Sequence, residues 1–427
     1  MRRLLYLLLF LATLAVMAVL ALVALNLRGE DRLPASPAAF DGSAATVERG
    51  RYLALAGNCA GCHTTRGGAP YAGGLGIETP FGTVYTSNLS ADPQAGIGSW
   101  SPDEFWRAMH NGRSKDGRLL YPAFPYSSFT QITRADSDAL LAYLRTVPPS
   151  PQPSRTHRLR FPYDTQAALA VWRALFFTPG SFVPDPAQSA EWNRGAYLVD
   201  GLGHCIACHG TRNSLGATED RLGLAGGLIP IENWYAPSLY SPREAGVAGW
   251  PRDEVVALLK NGRSAHGSVM GPMADVVFRS TQHLDETDLR AMATYLQALP
   301  QSEARAEAEP PAPAGQRRDA RVMARGERIF DQRCAYCHGD RGQGAAGAYP
   351  PLAGNRAVLM DSPVNLIQIV RHGGFLPATA GNPRPYGMPP FAQVLDDDDI
   401  AAVLSFVRGA WGNDAPPVSP REMVLRR

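Results

Sequence analysis

Cys59-Ala-Gly-Cys62-His63, Cys205-Ile-Ala-Cys208-His209 and Cys334-Ala-Tyr-Cys337-His338 are one pattern, C-x-x-C-H, written three times in a chain of 427 residues. The three copies use all six cysteines, so none is left for a disulfide or a nucleophile. Two cysteines three residues apart on a helical turn present both thiols on one side. There they can form thioethers to the two vinyl groups of a haem, while the adjacent imidazole turns to the iron as its proximal ligand. The pattern therefore predicts covalent haem attachment at Cys59 and Cys62, Cys205 and Cys208, and Cys334 and Cys337. His63, His209 and His338 are the predicted axial ligands, which makes three haem c groups. Zinc ribbons pair their C-x-x-C units in twos, and three units do not. A thioredoxin-type dithiol sits beside a βαβ pattern, and none surrounds these motifs.

Working outward, the chain repeats itself around each motif. An Arg-Gly step opens each unit, at Arg49-Gly50, Arg194-Gly195 and Arg325-Gly326. A short amphipathic helix closes each. Its apolar residues are Leu140, Tyr143, Leu144 and Val147, then Leu289, Met292, Leu296 and Leu299, then Ile400, Val403, Leu404 and Val407. These sets keep close to helical i, i+3, i+4, i+7 spacing. Acidic residues lead the helices (Asp136 and Asp138, Asp285 and Asp288, Asp396 to Asp399), as suits a helix N-terminus. Asn111-Gly112-Arg113-Ser114 recurs as Asn261-Gly262-Arg263-Ser264, while the third unit keeps only the shared skeleton.

The expected organisation is an anchor or signal segment over 1–27 and a linker over 28–44. Units follow at 45–150, 188–301 and 319–413. Linkers at 151–187 and 302–318 separate them, and a tail covers 414–427. The first of those two linkers contains an apolar stretch, Ala167 to Phe177, too short to span a membrane. It reads either as a helix packed between domains or as a surface helix resting on membrane or partner.

Leu4 to Leu27 is uncharged and almost wholly apolar. At 1.5 Å per residue it reaches about 36 Å, enough for a ~30 Å hydrocarbon core. Arg2 and Arg3 precede it and favour a cytoplasmic N-terminus with an exported body. The stretch exceeds a signal-peptide core of about 7–15 residues, so a retained transmembrane anchor is expected rather than a cleaved leader. Export agrees with haem c, which is attached outside the bacterial inner membrane. The expected location is thus the inner membrane, on its periplasmic side. With 41 basic and 39 acidic residues, the chain shows no electrostatic footprint for nucleic acid.

The second axial ligand sets the chemistry: a thioether opposite His raises the potential and closes the iron to exogenous ligands. In the third unit Met388 stands in Gly387-Met388-Pro389-Pro390-Phe391, held by prolines before the last helix. In the second, Met273 follows a Gly-Pro turn, with Met270 as the neighbouring alternative. Aligning the two Asn-Gly-Arg-Ser stretches sets Met273 opposite Ala123, in Tyr121-Pro122-Ala123-Phe124-Pro125-Tyr126, which lacks methionine. For the first haem Met109, His110 or no protein ligand all remain open. A carbonyl near Pro350 and Pro351 is expected to orient His338. His157, His204, His266, His283 and His372 read as solvated or hydrogen-bonded residues.

These stretches, with Leu53-Ala54-Leu55-Ala56-Gly57-Asn58-Cys59 and Met273-Ala274-Asp275-Val276-Val277, resemble the three-haem cytochrome c subunits of membrane-bound bacterial dehydrogenases. Those serve alcohol, aldehyde, gluconate and molybdenum hydroxylase-type enzymes. The resemblance runs from Arg49 to Asn413. It implies a mainly α chain with three tandem class I cytochrome c domains after an N-terminal transmembrane helix. It also implies a subunit without a substrate site of its own, which takes electrons from a catalytic dehydrogenase subunit. They would pass to ubiquinone or a terminal oxidase. Alcohol dehydrogenase members often show Pro-Ala-Met-Pro where this chain has Pro122-Ala123-Phe124-Pro125. That departure keeps a rival reading in view, a peroxidase-like haem enzyme using an open first haem.

Overall fold

The computed structural model describes residues 2–33, 40–219, 223–229, 232–302 and 319–425. Most of the expected 302–318 linker, part of the 28–44 linker and the end of the 414–427 tail lie outside the described residues. The chain divides into two compact units. The first comprises residues 1–184 with 200–204 and 214–217, and the second holds the remainder.

In the first unit the helices are α1 (Arg2–Leu27), α2 (Ala44–Ala56), α3 (Cys59–His63), α4 (Pro102–Asn111), α5 (Tyr126–Phe129), α6 (Arg134–Leu144) and α7 (Gln166–Phe176). A small antiparallel sheet joins β1 (Gly76–Thr79), β2 (Gly82–Tyr85) and β3 (Arg158–Leu159). The second unit carries α8 (Ala190–Ala196), α9 (Ile206–His209), α10 (Arg252–Asn261), α11 (Pro272–Arg279) and α12 (Glu286–Ala298). It continues with α13 (Ala320–Arg333), α14 (Ala335–His338), α15 (Arg356–Leu359), α16 (Val364–His372), α17 (Asp397–Val407) and α18 (Pro420–Leu425). Its strands are three two-residue or three-residue hairpins.

One helix crossing recurs three times. The helix before each haem motif packs across the helix that closes the same repeat: α2 on α6, α8 on α12, α13 on α17. At each crossing a glycine lies against backbone. A Cβ on Gly50 would meet Ala139 O at 1.8 Å, on Gly195 Ala291 O at 2.0 Å, and on Gly326 Ala402 O at 2.2 Å. The next side chain in each case is an aromatic one turn on: Tyr143, Tyr295 and Phe406, each 2.8 Å away at Cβ. Only a residue without a side chain permits helices this close.

The arginine beside each glycine fastens the same crossing. Arg49 Nε donates to Asp136 Oδ1 at 2.8 Å, Arg194 Nε to Asp288 Oδ1 at 2.8 Å, and Arg325 Nε to Asp399 Oδ1 at 2.8 Å. Each aspartate lies in the first turn of its helix, where the exposed N–H groups also favour negative charge. The acidic residues that open the closing helices thus serve twice, as dipole partners and as anchors for the Arg-Gly step.

The repeated Asn-Gly-Arg-Ser stretches end α4 and α10. Gly112 (φ 59°) and Gly262 (φ 73°) take the left-handed conformation that closes each helix. The chain then turns back, with Leu120 N donating to Gly112 O at 2.8 Å and Val269 N to Gly262 O at 2.9 Å. Helix α4 starts in a capping box between Ser101 and Glu104. In the last repeat Phe330, Ile367, Ile400 and Leu404 form a closed apolar core, with Met423 of α18 fully buried against it.

Replacing Gly50, Gly195 or Gly326 with Ala should destabilise the protein by about 1–3 kcal/mol, because overpacking outweighs the better helix propensity of Ala. Gly180, which has nothing within 4 Å of its would-be Cβ, should tolerate Ala. Denaturant titration of the four variants measures the difference.

Candidate haem centres

Each C-x-x-C-H segment forms a short helical turn, over Cys59–His63, Ile206–His209 and Ala335–His338. None of the six cysteines is in a disulfide. Burial pushes the Cys59 thiol up to about 12 and the Cys334 thiol up to about 11.

The histidine of each motif is held by a backbone carbonyl further along the chain. His63 Nδ1 is 2.7 Å from Ser87 O, His209 Nδ1 is 2.8 Å from Pro237 O, and His338 Nδ1 is 3.0 Å from Pro350 O. A carbonyl only accepts, so Nδ1 carries the proton in all three rings and Nε2 presents its lone pair. Burial lowers the pKa of all three imidazoles, which keeps them neutral. This is the tautomer and orientation a metal-binding histidine needs. The carbonyl expected near Pro350 and Pro351 is that of Pro350.

The first centre opens on a cavity of about 400 Å3, whose lining includes Cys59, Cys62 and His63 together with Met109, Phe124 and His204. Most of the remaining wall is apolar, with Val84, Ile97, Phe105 and Leu140 among its residues. The thiol pair, the oriented imidazole and the apolar wall fit a covalently held porphyrin.

Consecutive positions on α4 separate the two candidate axial residues for this centre. Met109 is buried and lines the cavity. His110 is also buried but is absent from that lining. Its ring stacks on Trp106 at 4.4 Å, and its Nδ1 lies 3.4 Å from Thr130 Oγ1. A 100° turn between neighbours on a helix is enough to send one inward and the other sideways. Ala123 and Phe124, which align with the Met273 stretch of the second repeat, both line this cavity.

Met273 stands in the first turn of α11, just after Gly271 (φ 53°) and Pro272; Met270 precedes that turn in a loop. Met388 lies on the short strand Gly387–Met388, paired with Gly374, and packs against the core of the last repeat. Both positions are partly buried.

Two histidines carry more than their sequence context indicated. His157 lines the first cavity, and its Nδ1 accepts from Tyr85 N at 3.1 Å. His204 lines it too, with Nδ1 2.9 Å from Leu202 O and its ring edge-on to Phe129 at 5.4 Å. Both are hydrogen-bonded, yet nothing local in the sequence placed them beside the first motif. A weak signal existed only for His204, since it immediately precedes Cys205.

Residues 47–148 and 323–411 match the Cytochrome c family. The chain is 44% identical over 398 residues to a subunit of the nicotinate dehydrogenase of Pseudomonas putida, a match covering 92% of this chain and 32% of that protein. The chain thus spans about a third of that relative's length. It is 39% identical to the cytochrome c subunit of the quinone alcohol dehydrogenase of Gluconacetobacter polyoxogenes, over 88% of this chain and 82% of that one. To the gluconate 2-dehydrogenase cytochrome c subunit of Pantoea cypripedii it is 37% identical, over 87% of each. A likeness that runs nearly end to end in the last two cases, on a scaffold that orients its motif histidines for iron, decides the matter: the chain belongs to the cytochrome c subunits of dehydrogenases and is an electron-transfer protein with covalently bound haem c.

Proposed function

We propose that the chain is a membrane-anchored, periplasmic three-haem relay. It takes electrons from a catalytic dehydrogenase subunit and delivers them to ubiquinone or a terminal oxidase. The observation that carries the count of three is the recurrence, in the middle repeat as in the others, of one arrangement: glycine crossing, C-x-x-C-H turn and carbonyl-held histidine. That recurrence supports reading three tandem domains, over 45–150, 188–301 and 319–413, of the class I type that the resemblance implies.

Haem c supplies a one-electron iron couple when bound. The residues of this chain hold and tune it. The cysteine pairs tether it and the carbonyl-bound histidines supply Nε2. Met109, Met273 and Met388 are the residues we assign as second axial ligands, with Met270 beside Met273 as the alternative. Thioether sulfur favours the ferrous state and closes the iron to outside ligands. Met109 is assigned on its place in the cavity lining, which includes no other methionine. With Met109 in place the first centre is a relay like the others. The open-haem, peroxidase-like alternative then loses its motive.

The donor is inferred from the relatives, named as subunits of alcohol, gluconate and nicotinate dehydrogenases. The anchor reading rests on α1, which is long and apolar enough to cross a membrane. Its apolar side chains are almost all exposed, and such a surface is not left in water.

Exposing the dithionite-reduced protein to carbon monoxide tests the ligand set. No haem should bind it rapidly. Met109→Ala, Met273→Ala and Met388→Ala should each open one haem in three and remove one Met–iron charge-transfer signature. Rapid binding by the unaltered protein, or an unchanged Met109→Ala spectrum, would return the first centre to the open reading. Affinity purification of the full chain from its native membranes should bring down a catalytic dehydrogenase subunit, whose substrate then reduces all three haems. Recovery of the chain alone, unreduced by any such substrate, would sink the assigned donor.

A further inference from the structure

The last turn of α1 is clamped to the body of the first unit rather than hung from a free tether. Asn26, only 8% exposed, donates from Nδ2 to Leu22 O and to Ala170 O of α7, both at 2.9 Å. Its Oδ1 accepts from Arg173 Nε at 3.1 Å, and Arg173 Nη1 reaches Asn111 O at 2.6 Å. Arg28, one residue past the helix, donates to Phe177 O at the end of α7. Beyond it, Glu30 pairs with Arg113 at 2.8 Å, and Asn111 Nδ2 donates to Gly29 O at 3.0 Å.

This clamp fixes the level of α7. From Leu4 to Asn26 the helix rises about 33 Å, and the hydrocarbon layer is ~30 Å thick. Asn26 therefore stands at the boundary between acyl chains and headgroups, and Ala170, bonded to it, stands at the same level. The side of α7 turned away from the protein is apolar. Ala167, Val171 and Leu175, spaced four apart on one face, are exposed, Val171 by 47% and Leu175 by 64%. The only charged side chain on α7 is Arg173, and it is 4% exposed. The chain on either side of the helix shows Phe161 (82% exposed) and Val183 (81%).

We propose that α7 lies in the outer headgroup region of the membrane, with the Ala167–Val171–Leu175 face set into the acyl boundary. It would act as a second, in-plane contact that seats the first haem domain on the bilayer. This rests on the anchor reading of α1. An uncharged apolar stripe bonded to the emerging end of a membrane helix meets lipid first. Burying Val171 and Leu175 gains the usual apolar transfer energy without desolvating any charge. Because Arg173 links Asn26 to Asn111, directly after the Met109–His110 pair, the same clamp ties the seating to the wall of the first cavity.

Site-directed spin labels on the full, haem-loaded chain in phosphatidylcholine vesicles test this. Cysteines are introduced singly at Val171 and Leu175, at Leu14 within α1, and at the exposed Asp116 as an aqueous control. We expect labels at 171 and 175 to resemble the one at 14, gaining oxygen collisions and losing nickel-chelate collisions relative to 116. Labels at 171 and 175 that match 116, while 14 remains lipid-like, overturn the proposal and leave the anchor reading standing. A label at 14 with aqueous character overturns both. Protection of 171 and 175 from both reagents would mean a protein partner covers the face, and it too overturns the proposal.

Discussion

Everything in this chain depends on how closely two helices can cross. Three times a glycine in the helix that leads to a haem motif takes up a position where even a methyl group would strike a carbonyl of the closing helix. The contact sets the depth at which the following C-x-x-C-H turn begins. Each crossing is also latched by an arginine from the residue before the glycine and an aspartate from the first turn opposite. Sterics and electrostatics thus act at one point, and the turn that holds the cofactor is its immediate continuation.

From that point the site is assembled by distant backbone. The carbonyls that hold the three histidines lie 24, 28 and 12 residues further on, at Ser87, Pro237 and Pro350. A backbone carbonyl cannot be exchanged by mutating a side chain, so the tautomer of each ring is a property of the loop path. That is why three repeats with very different loops reach the same chemistry. The first two end α4 and α10 on left-handed glycines, and the third ends α16 on Gly373 (φ 67°), which leads into the short hairpin that carries Met388.

Much of this was legible in the sequence. The C-x-x-C-H motifs, the Arg-Gly steps and the acidic leads of the closing helices are local patterns; the last two became the two sides of the crossing, and the first became the turn that follows it. The glycine's reason for being there was not legible, because its partner lies 89, 96 or 76 residues away in the three repeats. The choice between Met109 and His110 was equally closed to sequence reading, since both suit iron and differ only in the direction that α4 gives them. His157 and His204 reach the first cavity from separate segments, a relation no periodicity encodes. The clamp from Asn26 through Arg173 to Asn111 is likewise invisible in a chain where each residue alone reads as a helix end or an apolar helix.

The central claim is that three equivalent crossings hold three haems that act only as electron carriers. Coulometric titration of the purified full chain, followed in the haem absorption bands, addresses it most directly. The account predicts three electrons taken up per chain in one-electron steps, with the same total whether or not carbon monoxide is present. A total of two electrons per chain would contradict it, and so would one step that shifts when carbon monoxide is added.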